Sequence, residues 1–221
     1  MSPAQTRVIL FANGDLPNPD HISPMLRPDD VLIAVDGGLQ HLTRLQLIPQ
    51  WIIGDLDSAD PQEVKRLGAL GVAIRRFPTH KDESDLELAL LAALEWHPDV
   101  VWVIGAIGGR LDQTLANIFL LMQPKLAALD LRMVDGLQEV FLVRQAATIH
   151  GKPGQRVSLL PLMGPSTGVE TSGLAYPLRH ETLYPDKTRG ISNQMIGDVA
   201  EVRTVSGILL CIHTLSHDES E

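Results

Sequence analysis

The chain has 221 residues, 44% of them apolar, and a formal net charge of −9. That composition supports a sizeable core and either one large domain or two small ones. The acidic balance argues against a general nucleic-acid binder, which meets phosphates with a basic surface. A small anionic ligand stays open, because a bound metal ion reverses the local sign. Cys211 is the only cysteine, so no internal disulfide is expected. The opening MSPAQTRVILFANGD lacks the basic start and long apolar segment of a signal peptide, and no run approaches the roughly 18 apolar residues of a membrane helix. The expectation is a soluble cytoplasmic protein with neither nucleic-acid nor membrane partners.

Taken in chain order, RVILFA (7–12) is the first short apolar run, followed by the loop ANGD. VLIAV (31–35) ends at Asp36-Gly37-Gly38, and WII (51–53) ends at Gly54, Asp55 and Asp57. Asp60, Pro61 and Glu63 then read as the N-cap, first and third positions of a helix. A strand candidate lies in VAIRRFPTHK. In DESDLELALLAALEW, Leu86, Ala89, Leu90, Ala93 and Leu94 share one helical face. VVWVIGA (100–106) is the next strand. In DQTLANIFLLM, Leu115, Ile118, Phe119 and Met122 form a stripe that Pro124 ends, and LRMV (131–134) closes the series. Runs rich in Val and Ile suit strands buried on both faces, and their alternation with helices predicts a parallel α/β sheet.

After about residue 140 the helical periodicity stops. VFLVRQ, ATIH, RVSLLPL, GVET and GILLCIH are strand candidates, with GKPGQ, MGPSTG and TSG as turns between them. A small antiparallel β domain is expected, with no long linker before it. The tail SHDESE is expected to fray.

Six aspartates fall at or near the carboxyl ends of the predicted strands: Asp36, Asp55, Asp57, Asp82, Asp85 and Asp112. Ligands of open α/β sheets bind at that edge. Asp55 and Asp57, two apart, point the same way in extended backbone. Unit charges about 4 Å apart repel by roughly 4 kcal/mol at an effective dielectric near 20, so such a cluster calls for a cation. Hard oxygen ligands beside a phosphate site point to Mg²⁺. Simpler roles compete. Asp60 reads as a cap, capping is an equal alternative for Asp82 and Asp112, a solvated turn is the alternative for Asp55 and Asp57, and Ser58 reads as a cap rather than a nucleophile.

GAIGGRLDQT (105–114) is a glycine-rich turn into a helix. Its backbone can approach a ligand closely, Arg110 can fork onto a phosphate, and the helix start favours anions. It matches neither a Walker loop nor a dinucleotide fingerprint. ANGD is a second close-approach loop. Lys81 is placed to contact a phosphate, whereas His80 reads as solvated. His41, His97, His150 and His213 show no metal-ligand spacing, and Trp51 and Trp102 read as core.

VDGG (35–38), GDLDS (54–58), HKDESDLELAL (80–90), GAIGGRLDQTLANI (105–118), SLLPL (158–162), TSGLAYPL (171–178) and TRGISN (188–193) stand in the order and spacing of the thiamine pyrophosphokinase family, which the chain resembles over roughly residues 7 to 213. The resemblance implies a Rossmann-like α/β nucleotide-binding catalytic domain over residues 1–142 and a thiamine-binding antiparallel β-sandwich over 143–221. It implies Mg²⁺-dependent transfer of a diphosphoryl group from ATP to the hydroxyethyl oxygen of thiamine, giving thiamine diphosphate and AMP, by a homodimer with its site between subunits. Carried over by position, Asp55, Asp57 and Asp85 hold Mg²⁺, and Asp36 joins the acidic cluster. Asn13, Gly14, Gly37 and Gly54 lie near the nucleotide. Lys81, Asp82 and Arg110 serve the phosphates. Asp112 and Gln113 face the pyrimidine of thiamine, and Ser192, Asn193 and Tyr176 complete the thiamine site. The chain departs from the family pattern at Ser84-Asp85, where a threonine is usual before the aspartate, and at Tyr176, in a β domain without tryptophan. A diphosphokinase for another heterocyclic alcohol, such as a hydroxymethylpterin, and a non-catalytic thiamine or nucleotide sensor are the competing readings. A nicotinamide-dependent oxidoreductase is disfavoured, because ANGD stands where a G-x-G-x-x-G turn would follow the first strand.

Overall fold

The structure is a computed structural model and describes residues 5–215; the tail SHDESE lies outside them. The chain divides into two compact units that meet between Asp135 and Gly136.

In the first unit, β1 (Arg7–Phe11), β2 (Val31–Val35), β3 (Trp51–Gly54), β4 (Ala73–Arg76), β5 (Val100–Ile104) and β6 (Asp130–Val134) form a sheet in the order β4-β3-β2-β1-β5-β6, parallel throughout. The helices are α1 (Pro19–Ile22), α2 (Leu39–Arg44), α3 (Pro61–Ala69), α4 (Asp85–Ala93) and α5 (Leu111–Leu120). Side chains alternate across each strand. Ile9 and Phe11 of β1, Leu32 and Ala34 of β2 and Ile52 of β3 therefore share one face, where Leu39 and Leu42 of α2 and Val64 and Leu67 of α3 cover them. α4 packs on β1, β2 and β3 and buries the expected Leu86, Ala89, Leu90 and Ala93. Asp60 caps α3 as expected, accepting from the Gln62 N–H at 2.9 Å, but Glu63 turns outward to Arg66 instead of completing the reciprocal cap.

α5 departs from the sequence reading. The helix forms, yet none of its residues is buried: Leu111, Leu115 and Phe119 are 71%, 44% and 52% exposed. Periodicity marks an apolar stripe but cannot say what covers it.

The Arg7–Asp30 ion pair lies in the interior, at the strand ends away from the aspartate cluster. Arg7 Nε and Nη2 each donate to Asp30 at 2.6 Å, Nη2 also reaches the Met25 carbonyl at 2.9 Å, and the guanidinium stacks 4.4 Å from the Trp102 ring centre. The Arg27 N–H satisfies Asp30 further at 2.7 Å.

In the second unit, β7 (Gln138–Val143), β8 (Ala146–His150), β9 (Arg156–Ser172), β10 (Glu181–Leu183), β11 (Asn193–Gln194), β12 (Val199–Arg203) and β13 (Ser206–Thr214) pair only antiparallel. β13 lies between β7 and β9, β12 between β8 and β9. The unit starts earlier than the expected residue 143, because β7 zips along β13 from Gln138 onward. RVSLLPL and GVET, expected as two strands around a turn, are one 17-residue strand. The glycines and proline of MGPSTG make a bulge in it. Met163, Gly164 and Gly168 have positive φ, and the register with β13 shifts there. The bend lets the first half of β9 pair with β13 and the last residues pair with β12, closing two sheets over Phe141, Ile149, Leu159, Val202 and Leu209.

Asp30→Ala leaves the Arg7 charge buried and unpaired, so urea unfolding should show a loss of about 3–5 kcal/mol. Arg7→Met combined with Asp30→Leu should cost far less, since no charge is then stranded. Equal losses would show that the charges are not the reason.

Candidate active site

The sheet order reverses its connectivity between β1 and β5, and in such sheets a crevice opens there beyond the carboxyl ends of the strands. A cleft of about 610 Å³ occupies the first unit at that place. Its walls come from the loop after β1 (Asn13, Gly14, Asp15), the turn after β2 (Asp36), Asp55 after β3, Lys81 to Leu86 before and in α4 except for Asp82, and Gly105 to Arg110 after β5 except for Ile107. The ANGD and GAIGGR loops run in backbone contact. The Gly14 N–H donates to the Gly105 carbonyl at 2.9 Å, and a Cβ on Gly105 would stand 2.6 Å from the Ala12 carbonyl oxygen. Any other residue there would push the two loops apart.

Asp36, Asp55 and Asp57 each place a carboxylate oxygen so that all three lie within 4.8 Å of one another. Asp36 is buried, Asp55 half-buried and Asp57 exposed. Asp36 reaches this position with φ +48° and Leu56 with φ +64°, conformations that cost non-glycine residues energy. Gly54, at φ +146°, is held against Asp36, whose Cβ lies 3.0 Å from where a Gly54 Cβ would be. Ser58 does not cap the following helix. Its Oγ donates to Asp57 at 2.9 Å and its N–H lies 3.4 Å from Asp36 Oδ1, so both brace the cluster. The Asp57 N–H donates to Asp55 at 3.2 Å.

Asp85 lies outside that trio, in the cleft wall. Lys81 Nζ sits 3.0 Å from Asp85 Oδ1 at an angle that makes no hydrogen bond, and donates to the Pro78 carbonyl at 3.0 Å. Asp82 is exposed and off the cleft wall; Glu83 lines it instead. Neither Asp82 nor Asp112 caps a helix. Ser84 caps α4, accepting from the Glu87 N–H at 3.2 Å. Arg110 lines the cleft but donates to Asp112 through Nε at 3.1 Å and Nη2 at 2.5 Å. The Arg110 hydrogen bonds hold the Asp112 carboxyl below the usual carboxylate range, and the same pairing raises Arg110. Gln113 faces the cleft beside them, and Asn13 and Gly14 line it; Gly37 is buried beneath Asn13.

Four residues that line or support the cleft were not assigned from the sequence. Asp15 sits against Gly109, its Oδ2 3.0 Å from where a Cβ would be. Thr114 and Asn117, one and two helical turns into α5, donate to the Gly108 and Ala106 carbonyls at 3.1 and 2.9 Å and tie the glycine loop to the helix. His41 lies beneath the ANGD loop, with Nε2 2.9 Å from the Gly14 carbonyl. Spacing to the loop they support could have marked Thr114 and Asn117; nothing linear connects His41 to Gly14.

The remaining residues of the sequence reading belong to the second unit. Asn193 is buried. Its Oδ1 accepts from the Tyr176 and Gln194 N–H groups at 2.9 and 3.0 Å, and its Nδ2 donates to the Tyr176 carbonyl at 2.7 Å. Its amide therefore fixes the Tyr176 segment, in which Tyr176 is 65% exposed. Ser192 is exposed at φ +56°, its N–H bonded to Ser158 Oγ at 3.0 Å.

A doubly covered parallel sheet thus carries an acidic, glycine-lined cleft at its switch point, and a unit of antiparallel strands follows it in the chain. The family model for the thiamin pyrophosphokinase catalytic domain matches residues 23–133, and that for the thiamin pyrophosphokinase vitamin B1 binding domain matches residues 146–209. The chain belongs to the thiamin pyrophosphokinase family. It is 30% identical over 184 residues to a thiamine pyrophosphokinase of Bacillus subtilis, covering 82% of this chain and 86% of that protein. The crystal structure of thiamine pyrophosphokinase from Bacillus subtilis superposes with a TM-score of 0.83 at 27% identity, covering 96% of this chain and all of that one. Thiamin pyrophosphokinase from Candida albicans shares the fold, with a TM-score of 0.77 at 20% identity, over 95% and 89% of the two chains.

Burial lowers the His41 pKa below the ordinary value of 6.5 and outweighs the opposing bond to Gly14. Above that value the ring is neutral in both folded and unfolded chains. As the pH falls, the unfolded chain takes up the proton first, so stability is lost from about pH 6.5 downward. Thermal unfolding of wild type should lose more than His41→Gln between about pH 7 and about pH 5.5. Parallel losses would exclude His41 as the source.

Proposed function

We propose that the protein is a thiamine pyrophosphokinase: it transfers the diphosphoryl group of ATP to the hydroxyethyl oxygen of thiamine and releases AMP and thiamine diphosphate. The observation that carries this reading is the acidic cluster at the switch-point cleft, within the segment matched by the catalytic-domain model. In the reaction the thiamine hydroxyl oxygen bonds to the β-phosphorus, the bond from that phosphorus to the α–β bridging oxygen breaks, and the hydroxyl proton is lost. The protein contributes positioning and electrostatics, as in other phosphoryl transfers.

The cleft wall carries Asp15, Asp36, Asp55, Glu83 and Asp85 against Lys81 and Arg110. A triphosphate would be repelled by such a wall alone. Three convergent carboxylate oxygens fit a hard divalent cation such as Mg²⁺. Asp36, Asp55 and Asp57 would hold it, with Asp85 joining when Lys81 turns to a phosphate; the ion would neutralise phosphate charge. Asn13, Gly14, Gly37 and Gly54 shape the nucleotide wall. Arg110 exchanges Asp112 for a phosphate, which frees that carboxylate for cationic thiamine beside Gln113. Asp82, exposed off the cleft wall, is assigned to phosphate by family resemblance alone. In the second unit Tyr176 offers a ring face for stacking, Asn193 holds its segment in place, and Ser192 stands beside it at the surface.

The reading includes a homodimer. Leu111, Leu115 and Phe119 present an apolar stripe along α5, the helix that starts at Arg110, and a second copy of the chain is its proposed cover. No helix among the described residues is long and apolar enough to cross a membrane. The one cysteine, buried in β13, fits the reducing cytoplasm we assign.

The deciding assay follows AMP release from ATP and Mg²⁺ with and without thiamine, with mass detection of thiamine diphosphate. Thiamine-dependent AMP is expected; ADP would mean a monophosphoryl kinase, and a thiamine-induced thermal shift without turnover would mean a sensor. Asp55→Asn and Asp57→Asn should each lower kcat by about 100-fold or more with the fold intact, because even groups behind metal ligands cost about 10–100-fold. Leu115→Glu with Phe119→Glu should halve the mass measured by light scattering; an unchanged dimer would place the interface elsewhere.

A further inference from the structure

We propose that His41 is a positioning residue for the nucleotide loop, its Nε2–H donating to the Gly14 carbonyl and fixing the backbone of Asn13 and Gly14 against the cleft. This rests on the reading of the cleft as an ATP site.

The imidazole is only 3% exposed. A carbonyl oxygen can only accept, so the 2.9 Å contact with Gly14 requires the proton on Nε2. The other nitrogen, Nδ1, is buried and makes no well-formed hydrogen bond, although the Ala12 backbone also lies close to the ring. That arrangement works against stability, because an orphaned buried nitrogen costs free energy that a leucine of similar size would avoid. The contact with Gly14 is what the polar ring provides in return.

The loop has little other freedom. The Gly14 N–H is held by the Gly105 carbonyl at 2.9 Å, so Gly14 is gripped from β5 on one side and from α2 on the other. Gln40, the neighbour of His41, donates to Asn13 Oδ1 at 3.3 Å. Gly37 leaves room for the Asn13 amide, since a Cβ there would lie 2.5 Å from Asn13 Cγ. The turn carrying Asp36 runs straight into α2 through Gly37 and Gly38. One short segment, 36–41, thus carries a carboxylate of the acidic cluster at its start and the clamp on the nucleotide loop at its end. Its placement sets the distance between the acidic wall and the loop.

The test compares His41→Gln, His41→Asn and His41→Leu. Glutamine carries a donor at the reach of Nε2, whereas asparagine carries one only at the reach of Nδ1. His41→Asn and His41→Leu should raise KM for ATP about tenfold, the scale of one lost hydrogen bond, with KM for thiamine little changed. His41→Gln should bring KM for ATP back to within about threefold of wild type. Nitrogen NMR of the wild-type imidazole should show Nε2 protonated. Circular dichroism checks folding, and if the leucine variant does not fold, the asparagine–glutamine contrast decides. Equal KM for ATP in all variants, glutamine no better than asparagine, a change confined to thiamine, or a proton on Nδ1 would overturn the proposal. If wild type makes AMP normally and the variants do not differ, only the role of His41 falls. If wild type does not turn over, calorimetric ATP affinities replace KM in the same ranking; a wild type that binds no ATP overturns the clamp together with the ATP site.

Discussion

Three carboxylates held within a few ångströms are the constraint around which the first unit is organised. At an effective dielectric near 20, each pair of unit charges at about 4 Å repels by roughly 4 kcal/mol. Asp36 is also buried, and the two turns that deliver the cluster use left-handed backbone, one at Asp36 and the other at Leu56. Such conformations cost about 1–3 kcal/mol each and persist only where the surroundings over-determine them. Here the surroundings are β2 and β3, paired in register from Ile33–Trp51 to Val35–Ile53, which bring the two acidic turns side by side. Gly54 permits their close approach, and Ser58 braces both turns.

The same economy governs the opposite wall. The loops after β1 and β5 touch backbone to backbone, so glycine at 14 and 105 is a steric requirement, and Thr114 and Asn117 fasten the second loop to α5. Cationic groups on the walls are held in reserve by local partners. Lys81 faces Asp85, and Arg110 grips Asp112. The second is exposed on both sides, and an anionic ligand can exchange it at small cost, since exposed ion pairs contribute little. The second unit works differently. Its long bent strand β9 joins two sheets, and Asn193 spends its side-chain amide on holding a loop that presents an exposed aromatic ring.

Much of this was legible in the sequence. Strand–helix alternation pointed to the parallel sheet, and the Val- and Ile-rich runs proved to be doubly buried strands. Asp60-Pro61 marked a helix start, and the aspartates after VLIAV and WII marked the acidic edge. What was misread has a physical cause in each case. MGPSTG carries turn chemistry, but whether glycine and proline end a strand or bend it depends on whether a partner strand continues, and β13 does. Ser58 has cap chemistry, but the nearer carboxylate won its hydroxyl. The α5 stripe has core periodicity, yet no part of it is buried.

The sequence by itself determined the elements, the acidic character of one sheet edge, the glycines that let loops meet there, and the family to which the chain belongs. These depend on local propensity, periodicity and the order of short motifs along the chain. Only the tertiary structure decided that Asp36 rather than Asp85 converges with Asp55 and Asp57, that Arg110 is engaged by Asp112, and that His41 reaches Gly14 from another element. Those relations are distances between residues far apart in the chain or on neighbouring turns, and they exist only once parallel pairing has fixed which strand ends lie side by side.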